Sequence, residues 1–349
     1  MKKRVMVVAS VLVAMSLTAC QNAGGTTSTS AAQSSSAAKT ETSGAEAKVD
    51  ETKRTPQTIT IACGTSKGVG YITTSTAGSI LTSLYPEYQI KPEITTGSQE
   101  NITLVREGIA QIGVAMTDSA LAAYEGNREF DESYKGCINF VTGGYMTTIT
   151  QIVPKNSDAK ELPDLKGKKL GVSKGVMSKY YFPILLEAYG LTKEDFKIEE
   201  MSINDILTAL QDGNIDYGIH VSSVPNTGIS DLALSSGIQL LTMSDDLRDK
   251  IIEKNPYFVK TTISKDVYGT NADSETLATR NVYVCAVDAD EQVIYDWVKT
   301  LIESHEELSA AHPQAGDFGG KDGENALEGQ LIPIHPGAER YYREVGIIK

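Results

Sequence analysis

The sequence predicts an α/β fold of two lobes joined at a hinge, with a cleft between them. Three observations carry that expectation. Apolar runs of strand length alternate with helical periods from Thr58 onward, the order that builds a sheet with crossover helices. The folded part runs to about 290 residues, near the size at which a single hydrophobic core stops growing and a chain divides. Two segments, LVREGIAQIGVAMTDSA and LTALQDGNIDYGIHVSSV, share a plan of helix, glycine, polar step, glycine, strand and hydroxyl-rich loop, with Gly108 and Gly113 spaced as Gly213 and Gly218 are. A glycine is also the ordinary way to end a helix, so the echo reads either as two similar lobes or as a common connection used twice.

The elements follow in order. Residues 1–20 carry a positive start, Met1-Lys2-Lys3-Arg4, an apolar run from Val5 to Leu17, and Leu17-Thr18-Ala19-Cys20. That run falls short of the roughly 18 to 20 residues that span a bilayer, so it reads as an export signal. The cysteine after Leu-Thr-Ala resembles a bacterial lipobox, which makes Cys20 the acylated first residue of an extracytoplasmic protein anchored to the cell membrane by lipid; a plain cleaved signal is the alternative. Residues 21–56 are rich in Ser, Thr, Ala, Gly and Gln and bury too little to offset their ordering entropy, so they form a tether.

The first lobe takes residues 57–149, with a strand over Thr58 to Ala62, a helix over Tyr71 to Leu84, a strand over Gln89 to Thr95, a helix over Glu100 to Gly108 and a strand over Gln111 to Ala115. A strand from Thr147 to Val153 then runs into a Pro-Lys-Asn-Ser turn, a short Leu162-Pro163-Asp164-Leu165 element and a new strand at Lys169 to Val172, which places the second lobe over 150–280. RNVYVCAV, Arg280 to Val287, and a long amphipathic helix from Asp290 to about Ser309 return the chain to the first lobe over 281–349. Two crossings between lobes make a hinge.

Charge narrows the partners. The formal net charge is -13, and -16 once Lys2, Lys3 and Arg4 leave with the signal. So acidic a surface argues against nucleic acid and an anionic membrane surface as partners, and leaves open a small anion in a local pocket. Cys63, Cys137 and Cys285 are odd in number and sit in or beside apolar runs, which reads as buried thiols, with one disulfide pair as the alternative.

The stretch IACGTSKGVGYITTSTAG, Ile61 to Gly78, suggests a phosphate loop at first. Gly64-Thr65-Ser66-Lys67-Gly68 lacks the G-x-x-x-x-G-K-[ST] spacing, and Gly68-Val69-Gly70 lacks the third glycine of G-x-G-x-x-G. What survives is a strand, a glycine turn and a helix amino terminus, whose free N–H groups suit a carboxylate as well as a phosphate. TTGSQEN, AMTDSA and VSKGVMSK are similar strand-to-helix loops, in which Ser98 or Ser178 can serve as a cap. Lys67 and Lys174 lie in such loops of different lobes, as cleft cations or as solvated surface lysines. Hydrolytic chemistry finds no set: SHEELSAAHP fails H-E-x-x-H, Ser157-Asp158-Ala159-Lys160 lacks the companions of S-x-x-K, and G-x-S-x-G is absent. His305 and His312 read as a solvated helix face.

Four stretches carry a family likeness: GTSKGVGYI, TTGSQENITLVREGIAQIGVAMTDSALAAYEG, LPDLKGKKLGV and IPIHPGAERYYREVG. With SSVPNTGISDL and AAHP they resemble the TAXI family of solute-binding proteins, which serve TRAP-type secondary transporters. The resemblance implies a two-lobed α/β binding protein of the periplasmic-binding-protein type II form, with no catalytic residues, no cofactor and no metal. It implies a monomer that captures glutamate, glutamine or a 2-oxoglutarate-like carboxylate and delivers it to a membrane subunit. By position Ser66, Gly68 and Tyr71 match the first binding loop, joined by Thr65 and Lys67; Ser98 and Asn101 match the second. Thr117 and Asp118 fall on the family's Ser-Asp, and Val224, Pro225 and Asn226 on its second-lobe loop, with Ser173, Lys174 and Ser178 from VSKGVMSK. Gly70 stands where the family has a tyrosine and Lys67 where it has a glycine, departures that bear on the ligand. An ABC-type or sensory receptor of the same form, a secreted hydrolase and an adhesin with a vestigial cleft are the competing readings.

Overall fold

The computed structural model describes residues 54–349; the export signal, Cys20 and tether residues 21–53 lie outside the described residues. The chain opens with β1 (Gln57–Gly64), α1 (Val69–Leu84), β2 (Tyr88–Ile94), α2 (Ser98–Arg106), β3 (Ile112–Met116) and α3 (Thr117–Glu125). The long strand β4 (Ile138–Pro154) follows. Then come β5 (Lys169–Ser173), a π turn (Met177–Tyr181) leading into α4 (Phe182–Tyr189), β6 (Lys197–Met201), α5 (Ile203–Gln211), β7 (Tyr217–Ser222) and α6 (Thr227–Ser236). After them lie β8 (Ile238–Leu240), α7 (Asp245–Lys254), β9 (Phe258–Ile263) and α8 (Lys265–Tyr268). A second long strand, β10 (Ser274–Ala286), leads to α9 (Glu291–Glu303), α10 (His305–Ala311) and α11 (Pro336–Glu344).

One sheet threads the molecule in the order β2-β1-β3-β10-β4-β7-β5-β6, with β8 beside β4 and β9 beside β10. β1 is parallel to β2 and β3, β5 is parallel to β6 and β7, and β4 and β10 pair antiparallel with each strand beside them. The orders β2-β1-β3 and β6-β5-β7 are therefore the same plan used twice, mirrored about the β10-β4 pair. The sequence echo is its visible trace. Gly108 and Gly213 end α2 and α5 with φ of +71° and +70°, a conformation that favours glycine. Gly113 and Gly218 are bare because a Cβ at Gly113 would press on Val105 and the Asn101 carbonyl, and one at Gly218 on Ile206. In each half a helix rests directly on the strand backbone.

The buried cores divide the same way. Two clusters, one on each face of the sheet, draw on residues up to Val141 and again from Val282 onward. Two others draw only on Ile149 to Leu277. Trp297, Tyr283 and Phe318 anchor one cluster of the first pair, with Tyr283 at 4.4 Å from Phe318 and edge-on to Trp297 at 5.5 Å. Tyr181 and Phe258, 4.9 Å apart, anchor one cluster of the second pair. Only β4 and β10 carry both sets, so the two-lobed α/β fold is held together by two strands.

Two expectations are corrected here. The strand at Thr147 is the second half of one that begins at Ile138, and the returning strand begins at Ser274, because both strands cross from one half to the other without a break. The helix expected from Asp290 to Ser309 is broken at Ser304, which lets His305 Nδ1 reach the Gly316 carbonyl at 3.0 Å; His305 is thus half-buried and bonded, not a solvated face. Among the described residues no helix is long and apolar enough to cross a membrane.

Candidate ligand site at the seam between the halves

Parallel strands that each feed a helix place all the helix amino termini on one edge. In the first half α1, α2 and α3 begin at the carboxyl ends of β1, β2 and β3; in the second, the π turn, α5 and α6 begin at those of β5, β6 and β7. Register brings these edges together. Met116 at the end of β3 pairs with Asn281, next to Arg280, which pairs with Met146 of β4, while Ser222 at the end of β7 pairs with Thr148 of the same strand. The two helix-bearing edges meet across a seam only a few residues wide along β4.

In the first-half loops the residues singled out from sequence divide into two kinds. Thr65, Ser66 and Lys67 are exposed, and Gly68 opens α1 with no side-chain cap and no acidic residue in the first turn, leaving its amide groups to an anion. Tyr71 is half-buried and packs on the first-half core. Gly70 is explained by packing: a Cβ there would lie 2.9 Å from the Cys63 carbonyl and 3.1 Å from Val114, so a ring at this position would point into the sheet. Asn101 is 1% exposed; it donates to the Val114 carbonyl at 2.6 Å and accepts from the Thr95 hydroxyl, which in turn accepts from Gly64 N at 3.0 Å. Ser98 does not cap α2. Its hydroxyl accepts from Met116 N at 3.0 Å, because the loop turns it toward the neighbouring strand end. Thr117 is buried and donates to the Arg280 carbonyl at 3.0 Å, tying α3 to the crossing strand.

In the second half Ser173 and Ser178 are buried and Lys174 is exposed. Ser178 lies inside the π turn, donating to the Gly175 carbonyl at 3.4 Å, and so caps nothing. Val224 packs on a second-half core, Pro225 is exposed, and Asn226 caps α6 through Ile229 N at 3.2 Å while its own N–H donates to Tyr268 Oη at 2.8 Å.

The group that joins the halves was missed. α3 ends at Gly126, and the loop after it folds back along the helix, held by Gln99 Nε2 on the Glu129 carbonyl at 3.0 Å and Ser119 Oγ on Glu129 Oε1 at 3.2 Å. Arg128 stands in this loop at φ +56°, an uncommon conformation for a residue with a side chain and one that clusters at functional sites. Its Nη1 donates to Asp118 Oδ2 at 2.6 Å, its Nε is 3.4 Å from Glu129 Oε2, and its guanidinium lies 3.8 Å from the ring centre of Tyr180, from the π turn of the other half. Beside it the Tyr181 phenol approaches Asp118, yet neither Tyr181 Oη nor Asp118 Oδ1 completes a hydrogen bond. Met116 reaches across to pack on the second-half core.

Burial sets the electrostatics. It pushes the Asp118 carboxyl above its ordinary range, with Arg128 pulling the other way, and pushes the Tyr181 phenol well above its own, with Asp118 adding to the effect. Burial also opposes the Arg128 charge, but the Asp118 carboxylate outweighs it and the guanidinium stays firmly protonated. Nε and Nη2 of Arg128 are buried without a hydrogen-bond partner. The sequence signal for this group was slight: an arginine two residues past a helix-ending glycine, among acidic neighbours, and a Tyr-Tyr pair after VSKGVMSK.

Two similar α/β halves, hinged on two long strands and facing each other with their helix amino termini, define the class: this is the fold of the two-lobed periplasmic substrate-binding proteins. Residues 61–346 match the NMT1-like family, and the chain belongs to it. Among solved structures, the chain is similar to the periplasmic aliphatic sulphonate binding protein SsuA from Escherichia coli, at 17% identity over 83% of this chain and 84% of that one, with a TM-score of 0.50. XAC2383 from Xanthomonas citri, bound to chloride ion, matches at 12% identity over 83% and 96%, TM-score 0.48. The alkanesulfonate-binding protein SsuA from Xanthomonas axonopodis pv. citri, bound to MOPS, matches at 15% over 83% and 85%, TM-score 0.42.

Proposed function

We propose that this protein is an extracytoplasmic solute-binding receptor, without catalytic activity, that closes its halves on a small ligand bearing a carboxylate or sulfonate and presents it to a membrane transporter. The observation that carries the reading is Arg128, a buried guanidinium at the seam whose Nη2 has no partner and whose Nε makes no hydrogen bond, with only the Glu129 carboxylate near it at 3.4 Å. Such a planar fork matches a two-oxygen acceptor, and leaving its donors unmet is costly. The uncapped start of α1 with Thr65, Ser66 and Lys67 supplies further donors, and Ser173, Lys174 and Asn226 line the opposing edge. The carboxylate comes from the TAXI likeness, the sulfonate from the Escherichia coli relative; both offer the same oxygen fork.

Thermal shift and calorimetry against amino acids, dicarboxylates and alkanesulfonates test it. One class should stabilise the protein, and Arg128→Ala should abolish the effect. No stabilisation by any of them would sink the ligand class.

Delivery to an ABC-type permease is the reading that the comparisons support better. Delivery to a TRAP-type subunit is the second reading, resting on the stretches from GTSKGVGYI to IPIHPGAERYYREVG. Uptake that stops on ATP depletion but survives collapse of the ion gradient selects the first; the reverse selects the second. The lipid anchor at Cys20 is tested by Cys20→Ser, which should release the protein from the membrane.

A further inference from the structure

We propose that Tyr180 and Tyr181 of the second half, with Arg128 and Asp118 of the first, form a latch that holds the seam closed in part without any ligand and so sets how readily the receptor opens. The inference rests on the reading of this seam as the ligand cleft, and adds to it the control of closure. Its basis is that these four side chains are not part of the strand crossings. β4 and β10 join the halves covalently and through the sheet, whereas Arg128 on Tyr180 at 3.8 Å and Asp118 beside Tyr181 join them through side chains outside it. Such contacts break when two halves swing apart on a hinge, and the strands do not.

The local structure is built for the purpose. Arg128 is delivered by a loop that holds it in a left-handed conformation, pinned at Gln99 and Ser119 through Glu129, so its position does not depend on the second half. The two tyrosines come from the π turn, a wide turn of the kind that recurs at functional sites. Tyr181 is buried in the second-half core, edge-on to Phe258 at 4.9 Å, so it presents its hydroxyl to Asp118 from a rigid base. Tyr180 is only partly buried, which leaves its face to the cation. The latch competes with the ligand as well as assisting it. A closed seam is the binding-competent arrangement, while an anion that takes Nε and Nη2 of Arg128 must displace Glu129 Oε2, 3.4 Å from Nε.

The test needs no ligand. Spin labels at Glu107→Cys on the first half and Leu234→Cys on the second, both exposed positions, report the distance between halves in the folded protein with Cys20 replaced by Ser and Cys137 by Ala; Cys63 and Cys285 are buried thiols and stay unlabelled. Wild type and Tyr180→Phe, which keeps the aromatic face, should show mainly the shorter distance. Tyr180→Leu and Arg128→Met should move the population toward the longer one, lowering the closed-to-open ratio about tenfold, equivalent to about 1.4 kcal/mol. A Tyr180→Leu distribution that superimposes on wild type, or a wild type already at the longer distance, overturns the latch. Tyr180 is partly exposed, so its variants fold even if Arg128→Met does not. A blank ligand panel leaves these distances untouched, and unchanged distances leave the ligand panel untouched.

Discussion

Arg54 and Asp296, 242 positions apart, form a two-pronged ion pair with Nε and Nη2 each 2.8 Å from a carboxylate oxygen. Asp296 is fully buried in α9, where it also accepts from Tyr88 Oη at 3.0 Å and Gln292 Nε2 at 2.9 Å, and the Arg54 guanidinium lies 3.8 Å from the ring centre of Tyr85. The pair fastens the start of the described chain to the end of α1, β2 and α9, at the opposite end of the first half from the seam. Arg54→Ala leaves a buried carboxylate without its cation and should cost about 3–5 kcal/mol in urea unfolding. Arg54→Ala combined with Asp296→Asn should cost less than the single change, and Arg54→Lys should fall between, because an ammonium cannot reproduce the fork. A loss under about 1 kcal/mol for Arg54→Ala would refute this account.

Asn101 and Ser66 should separate stability from binding. Asn101 joins the ends of β1 and β3 through Thr95, Gly64 and the Val114 carbonyl, so Asn101→Ala should lower stability by about 1–3 kcal/mol. Ser66 is exposed, and Ser66→Ala should leave stability within about 0.5 kcal/mol while weakening the ligand found by the panel. Equal effects of the two on unfolding would remove the distinction.

Much of the fold was legible because its signals are local. Strand periods, helix periods and the glycines at 108, 113, 213 and 218 each follow from nearest neighbours, and together they gave the alternation and the repeat. The length of β4 and β10 was not legible, since Gly143 and Gly144 stand just before the strand expected at Thr147, and only the pairing of Arg280 with Met146 and of Ser222 with Thr148 shows it to be continuous. The site was half legible for a related reason. Loops at strand ends announce themselves by glycine and hydroxyls, whereas Arg128 matters only because a loop folds back 10 positions to Asp118 and the other half brings Tyr180 against it. Asn101 illustrates the converse: a residue type suited to a ligand is spent on holding the edge in shape.

His220 predicts an acid limb to stability. It lies on β7 opposite Thr150 with its Nδ1 buried and unpartnered, and burial lowers its pKa from 6.5 to about 4. The unfolded chain takes up the proton first, so the contribution is fully present above pH 6.5 and is lost as pH falls toward 4. His335, nearly fully buried, is also lowered by burial and loses its contribution in the same direction. Urea midpoints at about pH 7.0, 5.5 and 4.5 should decline, with His220 responsible for about 2–3 kcal/mol of the fall. His220→Gln should flatten the slope by that share, and an unchanged slope would show that the imidazole is hydrated in the folded state.

Gly143 predicts a packing limit where β4 passes under the loop before α11. Gly143 N donates to the Ala326 carbonyl at 3.1 Å and its own carbonyl accepts from Gly319 N at 2.8 Å, so the loop lies flat on the strand. A Cβ here would collide with the Glu328 and Asn325 carbonyls, which are backbone and cannot swing aside. Gly64 is the control: it sits at φ +88° with nothing within 4 Å of the place a Cβ would take. Alanine there carries only backbone strain of about 1–2 kcal/mol. Gly143→Ala should cost at least about 3 kcal/mol, since the loop must lift off the strand to admit the methyl group. Chemical unfolding of both variants checks the difference, and equal losses would mean that the loop yields at no cost and does not brace the crossing strand.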